Sequence, residues 1–551
     1  MRKILRNKKI KFAFWIILIL VSVTAFKMAD DRFEVSKNIE IFTAVYKEVN
    51  LNYVDETKSG ELMRKSIDAM LGSLDPYTVF YSEAQAEEAF TQRTGEYGGM
   101  GVSVTPIGEY LVITDVFEGF AGEKAGIKIG DKILAINGKN LKGKTLDELS
   151  PMAKGAAGTE LILTISRPGS DSTLNKVIKR EEIKLKNVPY YGKVNETVGY
   201  IYLSNFMQDA AKEVQTALTE LKKEGCTGII LDLRGNPGGY LLESVKIVNL
   251  FVPQGELVVY TKGRTEKDIQ EYKTPNRPID LNIPLVVLIN GRSASASEIV
   301  SGTLQDLDRA VVMGSNSFGK GLVQTTRQLP YRSQMKITTA KYYTPSGRCI
   351  QALDYSNRNL DGSVGKVADS LRQAFTTKKG RTVYDGGGVK PDKDIDVMTN
   401  DQIIQSLQQQ YLIFDFAVNF VNTHPKKQIT ERFNITDDDF NNFLIYTEKH
   451  IERVNTVNDI QFDNLKKNLQ KTTDNQSVQS ALNNLEKAML SNKLLQIKED
   501  KTKLMDVLSL EIVRVYGLSS MHSKAQFLKD VTTIKAIETL QNQEIYIQYL
   551  K

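Results

Sequence analysis

VVLINGRSASASEI, Val286–Ile299, continued by GSNSFGKGLVQ, Gly314–Gln324, is the stretch on which the reading of this chain turns. Val286–Asn290 belong to an apolar run of buried-strand type, and Glu298–Leu307 reads as a helix. Between them, Gly291–Ser297 is built of small residues apart from Arg292. A strand that turns abruptly into a helix can hold a serine hydroxyl clear of its own backbone. The helix N-terminus behind it supplies unpaired N–H groups and positive potential. Ser293, Ser295 and Ser297 compete for that position. A serine-rich turn also serves simply to cap a helix, and the turn alone does not separate the two readings.

The histidines narrow the choice. There are three, His424, His450 and His522, all in the C-terminal quarter. A serine nucleophile in the domain that owns this turn therefore needs another base, and lysine is the usual substitute. Lys320, between Gly319 and Gly321, is the candidate. A free lysine has a pKa of about 10.4, so a useful base needs it lowered by about 3 units. Burial among apolar neighbours does that, an acidic partner opposes it, and the sequence neighbours of Lys320 carry no carboxylate.

With SASASE and FGKGLVQ in view, the chain resembles the carboxyl-terminal processing peptidases, or tail-specific proteases. The resemblance implies a nucleophile at Ser295, a lysine base at Lys320, 25 residues on, and a glutamine at Gln324. LDLRGNPGG, Leu231–Gly239, resembles the family turn that lends an amide to the oxyanion hole. That role falls on Gly238, with Gly239 as near alternative, and the second donor is the amide of Ala296. For Gln324 to orient the Lys320 amine, the two must meet across one helical turn. In an extended strand they lie about 13 Å apart. A turn or kink near Gly321 is therefore expected.

GGMGVSV, Gly98–Val104, with KAGIKIGDKILAING, Lys124–Gly138, resembles a PDZ domain of the permuted bacterial type. Successive amides of Gly99, Met100, Gly101 and Val102 can capture a chain-end carboxylate while the next strand pairs with the peptide. A bare glycine bulge in a generic β-domain is the plainer account of GGMG by itself.

The chain divides into residues 1–27, a signal peptide or N-terminal anchor; 28–93, helical; 94–170, PDZ; 171–395, protease core; and 396–551, a helical extension. Met1–Lys11 carries six Lys and Arg and is followed by the charge-free Phe12–Phe26. That order reads as a secretory signal or an uncleaved anchor with the basic flank left in the cytoplasm. The strand–helix–strand–turn–helix order from Tyr200 into Asn290 argues an α/β core. LysTyrTyrThrProSerGlyArg at 341–348 and Gly388–Asp392 resemble family segments that close that core, with Ser346 a weak rival nucleophile. Asp401–Lys551 is polar and helical and falls outside the quoted motifs. It reads as packing on the core, on an adaptor or on a second copy.

A net charge of +6 with acids and bases interspersed does not suggest nucleic acid. Two cysteines far apart give little support for a disulfide framework. The resemblance implies a multidomain α/β fold, a Clp/crotonase-like protease core with an inserted β-rich PDZ domain and helical N- and C-terminal regions. It implies an exported serine endopeptidase that works with a Ser-Lys dyad, without metal or cofactor, on polypeptides recognised by their C-termini. Membrane contact is expected through the N-terminal segment alone. The contrasting readings are a non-catalytic PDZ scaffold or chaperone on a protease fold, and a Ser-Lys amidase or esterase, which has no need of a PDZ domain.

Overall fold

The structure is a computed structural model. It describes residues 33–551 apart from 84, 87–95, 171, 266, 360, 396–401 and 426. The basic and apolar N-terminal segment thus lies outside the described residues, as does most of the expected helix after Tyr81. Among the described residues no helix is long and apolar enough to cross a membrane.

The chain separates into two compact units. The first joins residues up to Glu83 with Thr325–Thr338. It holds helices α1 (33–52) and α2 (Ser59–Gly72) and strand β1 (Val79–Tyr81). The strand was not expected in this helical region. It forms because Val79–Tyr81 finds an antiparallel partner in Gln334–Lys336, far along the chain.

The second unit begins with the PDZ-like domain. Strands β2 (Glu96–Gly99), β3 (Val102–Ile107), β4 (Tyr110–Val116), β5 (Lys132–Ile136), β6 (Lys139–Asn140), β7 (Glu160–Ser166), β8 (Thr173–Lys179) and β9 (Glu181–Lys184) are joined by helices α3 (Ala121–Lys124) and α4 (Leu146–Ala153). The main sheet runs β3-β4-β5-β7-β8, which leaves β3 at an edge, and β2 pairs with β9. The domain therefore runs past the expected limit at residue 170: β8 completes the sheet against β7, and β9 closes on β2.

The α/β core is a sheet of strands β10 (Tyr190–Lys193), β11 (Val198–Tyr202), β12 (Gly228–Asp232), β15 (Leu285–Ile289), β16 (Val311–Gly314) and β23 (Lys393–Asp394) in that order. All neighbours are parallel except β10 with β11. Helices α5 (Ala210–Lys223), α6 (Leu241–Asn249) and α7 (Ala296–Asp306) supply Val214, Leu218, Ile247, Val300 and Leu304 to one face, where they meet Ile229, Leu231, Leu285, Val287 and Ile289. The alternate residues Ile230, Val286 and Leu288 point to the other face, as the period of a strand requires. A parallel strand covered on both faces reads as a continuous apolar run, which is why Leu285–Ile289 shows no alternation in sequence. Further strands of this unit are β13 (Leu257–Lys262), β14 (Ile269–Lys273), β17 (Leu322–Gln328, entering the first unit at Thr325), β18 (Gln334–Tyr343, returning at Thr339) and two short hairpins, β19 (Leu353–Arg358) with β20 (Val364–Lys366) and β21 (Ala374–Thr376) with β22 (Thr382–Tyr384).

The C-terminal region is helical: α8 (Gln402–Gln409), α9 (Leu412–Thr423), α10 (Asp437–Glu448), α11 (Val457–Thr472), α12 (Gln476–Glu499), α13 (Lys501–Lys529), α14 (Val531–Gln541) and α15 (Gln543–Tyr549). Its apolar faces are used twice. Phe527, Ala536, Tyr546 and Leu550 cover the second face of the core sheet. Phe414, Ala417, Val418, Leu508 and Ile512 share one apolar core with Leu111, Ile113 and Ile133 of the PDZ-like domain. Arg514 on α13 donates to the Thr114 carbonyl at 2.7 Å. This region thus packs on the core and on the PDZ-like domain besides.

Candidate active site

Strand β15 ends at Ile289 and helix α7 starts at Ala296. Ser295 stands between them at φ 57° and ψ −113°, a left-handed conformation that a residue with a side chain rarely adopts. Such strain at a strand-to-helix corner is how a nucleophile is held proud of its backbone. The rival serines are committed. Ser293 is fully buried and donates to the Leu233 carbonyl at 2.8 Å. Ser297 is fully buried and donates to the Asn236 carbonyl at 3.0 Å. Ser346 pairs its hydroxyl with Thr344 at 3.2 Å. Ser295 alone of the three turn serines remains half-exposed.

Lys320 lies in an irregular segment that precedes β17, after Gly319 at φ 86°. Three successive amides of this segment are held by side-chain oxygens. Glu298 Oε1 accepts Gly319 N–H at 2.7 Å, Glu298 Oε2 accepts Lys320 N–H at 2.9 Å, and Gln351 Oε1 accepts Gly321 N–H at 2.8 Å. Glu298 Oε2 also accepts Ser295 N–H at 2.8 Å, and Oε1 accepts Ser317 Oγ at 2.5 Å. One buried carboxylate therefore joins the serine corner to the lysine segment. Burial pushes the Glu298 carboxyl up from the usual carboxylate range, while the hydrogen bonds from Ser317, Lys320, Gly319 and Ser295 pull it back.

Glu298 was missed in the sequence because helix position N3 after a serine reads as ordinary capping. It also adds an acid to the surroundings of Lys320 that the sequence neighbours did not show. None sits beside it in sequence, but the fold brings Glu298 to its backbone. Tyr342, almost fully buried, donates to the Ser295 carbonyl at 3.1 Å and fixes the corner from the other side.

The turn Arg234–Gly239 packs against the same corner. The Asn236 carbonyl accepts Ala294 N–H at 3.0 Å. A Cβ on Gly238 would lie 2.8 Å from the Ser295 Cβ and 2.9 Å from the Ala296 nitrogen, so only glycine allows this approach. The Gly238 amide itself, expected as an oxyanion donor, is already donated to Asn236 Oδ1 at 2.8 Å. The amides of Gly239 and Ala296 have no acceptor among the described residues. The near alternative Gly239 therefore replaces Gly238 as the available donor, for a plain reason: the Asn236 side chain turns the Gly238 N–H inward. Arg234, at the start of the turn, pairs with Asp232 and with Asp530, the latter at 2.8 Å, which ties the turn to the C-terminal helices.

Gln324 is the third residue of β17 and half-buried. No straight strand runs through Lys320–Gln324: Lys320 and Gly321 are irregular, and the chain goes extended only at Leu322, where β17 begins, so the break expected near Gly321 is irregular backbone rather than a helical turn. None of the three histidines hydrogen-bonds Ser295 among the described residues. In the helical region His424 stacks on Phe420, and His450 packs at a tilt against Tyr446.

The loop 99–102 joins β2 to β3. Met100 is buried, and Gly101 has φ 72° with Phe120 so close that a Cβ would lie 2.4 Å from it. Carbonyls of Met100 and Gly101 accept Gly122 and Phe117 amides, while the Met100 and Gly101 N–H groups have no acceptor among the described residues. No group of His, Cys, Asp and Glu fit to hold a metal occurs among the described residues.

Residues 197–355 match peptidase family S41, residues 112–167 match a PDZ domain, and residues 403–540 match the C-terminal helical domain of probable PDZ-proteases. A probable CtpA-like serine protease of Staphylococcus aureus is 33% identical over 439 residues, which cover 77% of this chain and 83% of that one. The chain belongs to peptidase family S41. A carboxy-terminal-processing protease of Bartonella bacilliformis is 37% identical over 321 residues, 58% of this chain and 73% of that one. This S41 member is accordingly a carboxy-terminal-processing serine peptidase with a PDZ domain, and peptides are its substrates. The helical C-terminal region, which no sequence motif had tied to a family, has its own match among PDZ-proteases.

Proposed function

We propose that Ser295 is the nucleophile and Lys320 the general base of this peptidase, acting on exported polypeptides whose C-termini the PDZ domain holds. The observation that carries this is the shared carboxylate oxygen: Ser295 N–H and Lys320 N–H both donate to Glu298 Oε2. Neutral Lys320 takes the Ser295 hydroxyl proton as Oγ bonds to the peptide carbonyl carbon. The carbonyl oxygen becomes an oxyanion between the amides of Gly239 and Ala296. Collapse breaks the C–N bond, and the Lys320 ammonium gives its proton to the leaving amine. Water, deprotonated by Lys320, then attacks the acyl-enzyme and releases the new carboxylate, returning the proton to Ser295. The basic then charge-free N-terminus supports placing all of this outside the cytoplasmic membrane.

Cleavage of an unfolded protein with an apolar C-terminus, free or amidated, tests the reading. Wild type should cleave the free form and lose efficiency on the amidated one. Ser295→Ala and Lys320→Ala should each abolish cleavage. A Ser295→Ala variant that still cleaves would overturn the assignment.

A further inference from the structure

The PDZ-like domain has more surface for a tail than its carboxylate loop. Loop 99–102 precedes β3, and β3 is an edge strand. A tail whose carboxylate sits in that loop therefore runs antiparallel along β3, with its upstream residues toward Pro106 and Ile107. Backbone pairing ends there. Ile107 and Tyr110 close a two-residue hairpin around Gly108 and Glu109. By strand alternation the nitrogen of Pro106 then faces the free edge, and proline has no N–H to offer.

A cavity of about 760 Å³ begins at that point. Pro106, Ile107 and Tyr110 line it from the PDZ side, and Tyr411, Phe414 and Tyr446 from the helical region. Its walls are close-packed. Gly130 meets Val418 of α9 so tightly that a Cβ would lie 2.4 Å from it, and both sides share one apolar core. The charges around it are engaged: Asp415 with Arg453 at 3.0 Å, Glu109 with Lys142 at 3.0 Å, and Lys132 over the Tyr110 ring at 5.7 Å. Tyr411 is held at φ 58°, a strained conformation for an aromatic residue and of the kind that collects at binding sites.

We propose that this cavity is a second tail-binding subsite, which takes an aromatic or large aliphatic side chain of the substrate about six residues upstream of its C-terminus. The proposal rests on residues 99–102 being the carboxylate loop. The helical C-terminal region then reads substrate jointly with the PDZ domain.

The test uses full-length Ser295→Ala and fluorescent peptides with free C-termini, read by anisotropy. Tryptophan is scanned through positions four to eight from the end of an otherwise Ala/Ser-rich tail ending in an apolar residue. A single optimum near the sixth position, tightening Kd about tenfold, is expected. Tyr411→Ala should remove that gain. So should Asn419→Trp, which fills the cavity from an exposed helix position that carries little of the fold. No positional optimum, or an optimum that survives both variants, overturns the subsite. Amidated peptides separate the two readings. If amidation leaves binding unchanged, the carboxylate loop is misassigned, whereas a carboxylate effect without a positional effect defeats the subsite alone.

Discussion

The backbone amides of Ser295 and Lys320 donate to one oxygen, Oε2 of Glu298, at 2.8 and 2.9 Å. Their separation is thereby bounded by those two bonds, although the residues stand on different elements. Glu298→Gln keeps the volume but turns two N–H donors toward amides that need acceptors. A misplacement of about 1 Å at a catalytic pair costs about a hundredfold in rate. The expected result is a fall in kcat of that order with KM for the tail little changed and with slowed labelling of Ser295 by a fluorophosphonate. Unaltered kcat in folded Glu298→Gln would show that the carboxylate does not set the geometry.

Gly238 tests the proposed oxyanion role of the turn without touching the proposed donors, the amides of Gly239 and Ala296. A Cβ there collides with the Ala294 carbonyl at 2.7 Å as well as with the Ser295 Cβ. The obstacle is mostly backbone, so the turn must move away and carry the Gly239 amide with it. Loss of one oxyanion donor costs about a hundredfold or more in kcat. Gly238→Ala should show that loss in steady-state kinetics while still folding. Near-normal kcat would place the donors elsewhere.

Local pattern was enough for the serine corner, because a buried strand, small residues and a helix occur in succession within Val286–Leu307. What the pattern left open was what each group bonds to. Ser293, Ser295 and Ser297 look alike in sequence, and separate only when Leu233 and Asn236 claim two of them. Glu298 and Gln351 act on amides about twenty to thirty residues away, which no spacing rule anticipates. The Gly238 amide is taken up rather than that of Gly239 because the Asn236 side chain bends back. The C-terminal helices show amphipathic faces in sequence, yet the faces do not say that one end covers the core sheet and the other the PDZ domain.

The segment read as closing the core does so through a buried ion pair. Arg348, 1% exposed, places Nη2 2.8 Å from Asp306 Oδ1, and donates to Gln305 Oε1 at 2.7 Å. Asp306 also accepts Ser346 N–H at 3.0 Å, so the pair fastens the turn after β18 to the end of helix α7. Removing one partner leaves a buried charge uncompensated, which costs about 3–5 kcal/mol. Arg348→Met should lower the urea midpoint accordingly, and adding Asp306→Leu should restore much of the loss. A double variant no better than Arg348→Met would mean that the Ser346 and Gln305 bonds, rather than the uncompensated charge, dominate.

His522 predicts an acid limit on stability. Burial first, and then the Arg514 guanidinium, hold its imidazole below the ordinary value of 6.5, with Glu511 pulling weakly the other way. As pH falls below that value the unfolded chain takes a proton at His522 before the folded chain does. Proton binding by the unfolded state favours unfolding, so stability drops through this window, at up to about 1.4 kcal/mol per pH unit, until the folded imidazole is protonated too. Above the window both states are neutral and the contribution is constant. Urea unfolding at about pH 7.5 and about pH 5.5 should show this loss in wild type and a smaller one in His522→Gln, which keeps a polar side chain that does not titrate. Equal losses in the two proteins would show that His522 is not the group responsible; Asp530, which the Arg234 guanidinium holds below the carboxylate range against its burial, contributes only at lower pH.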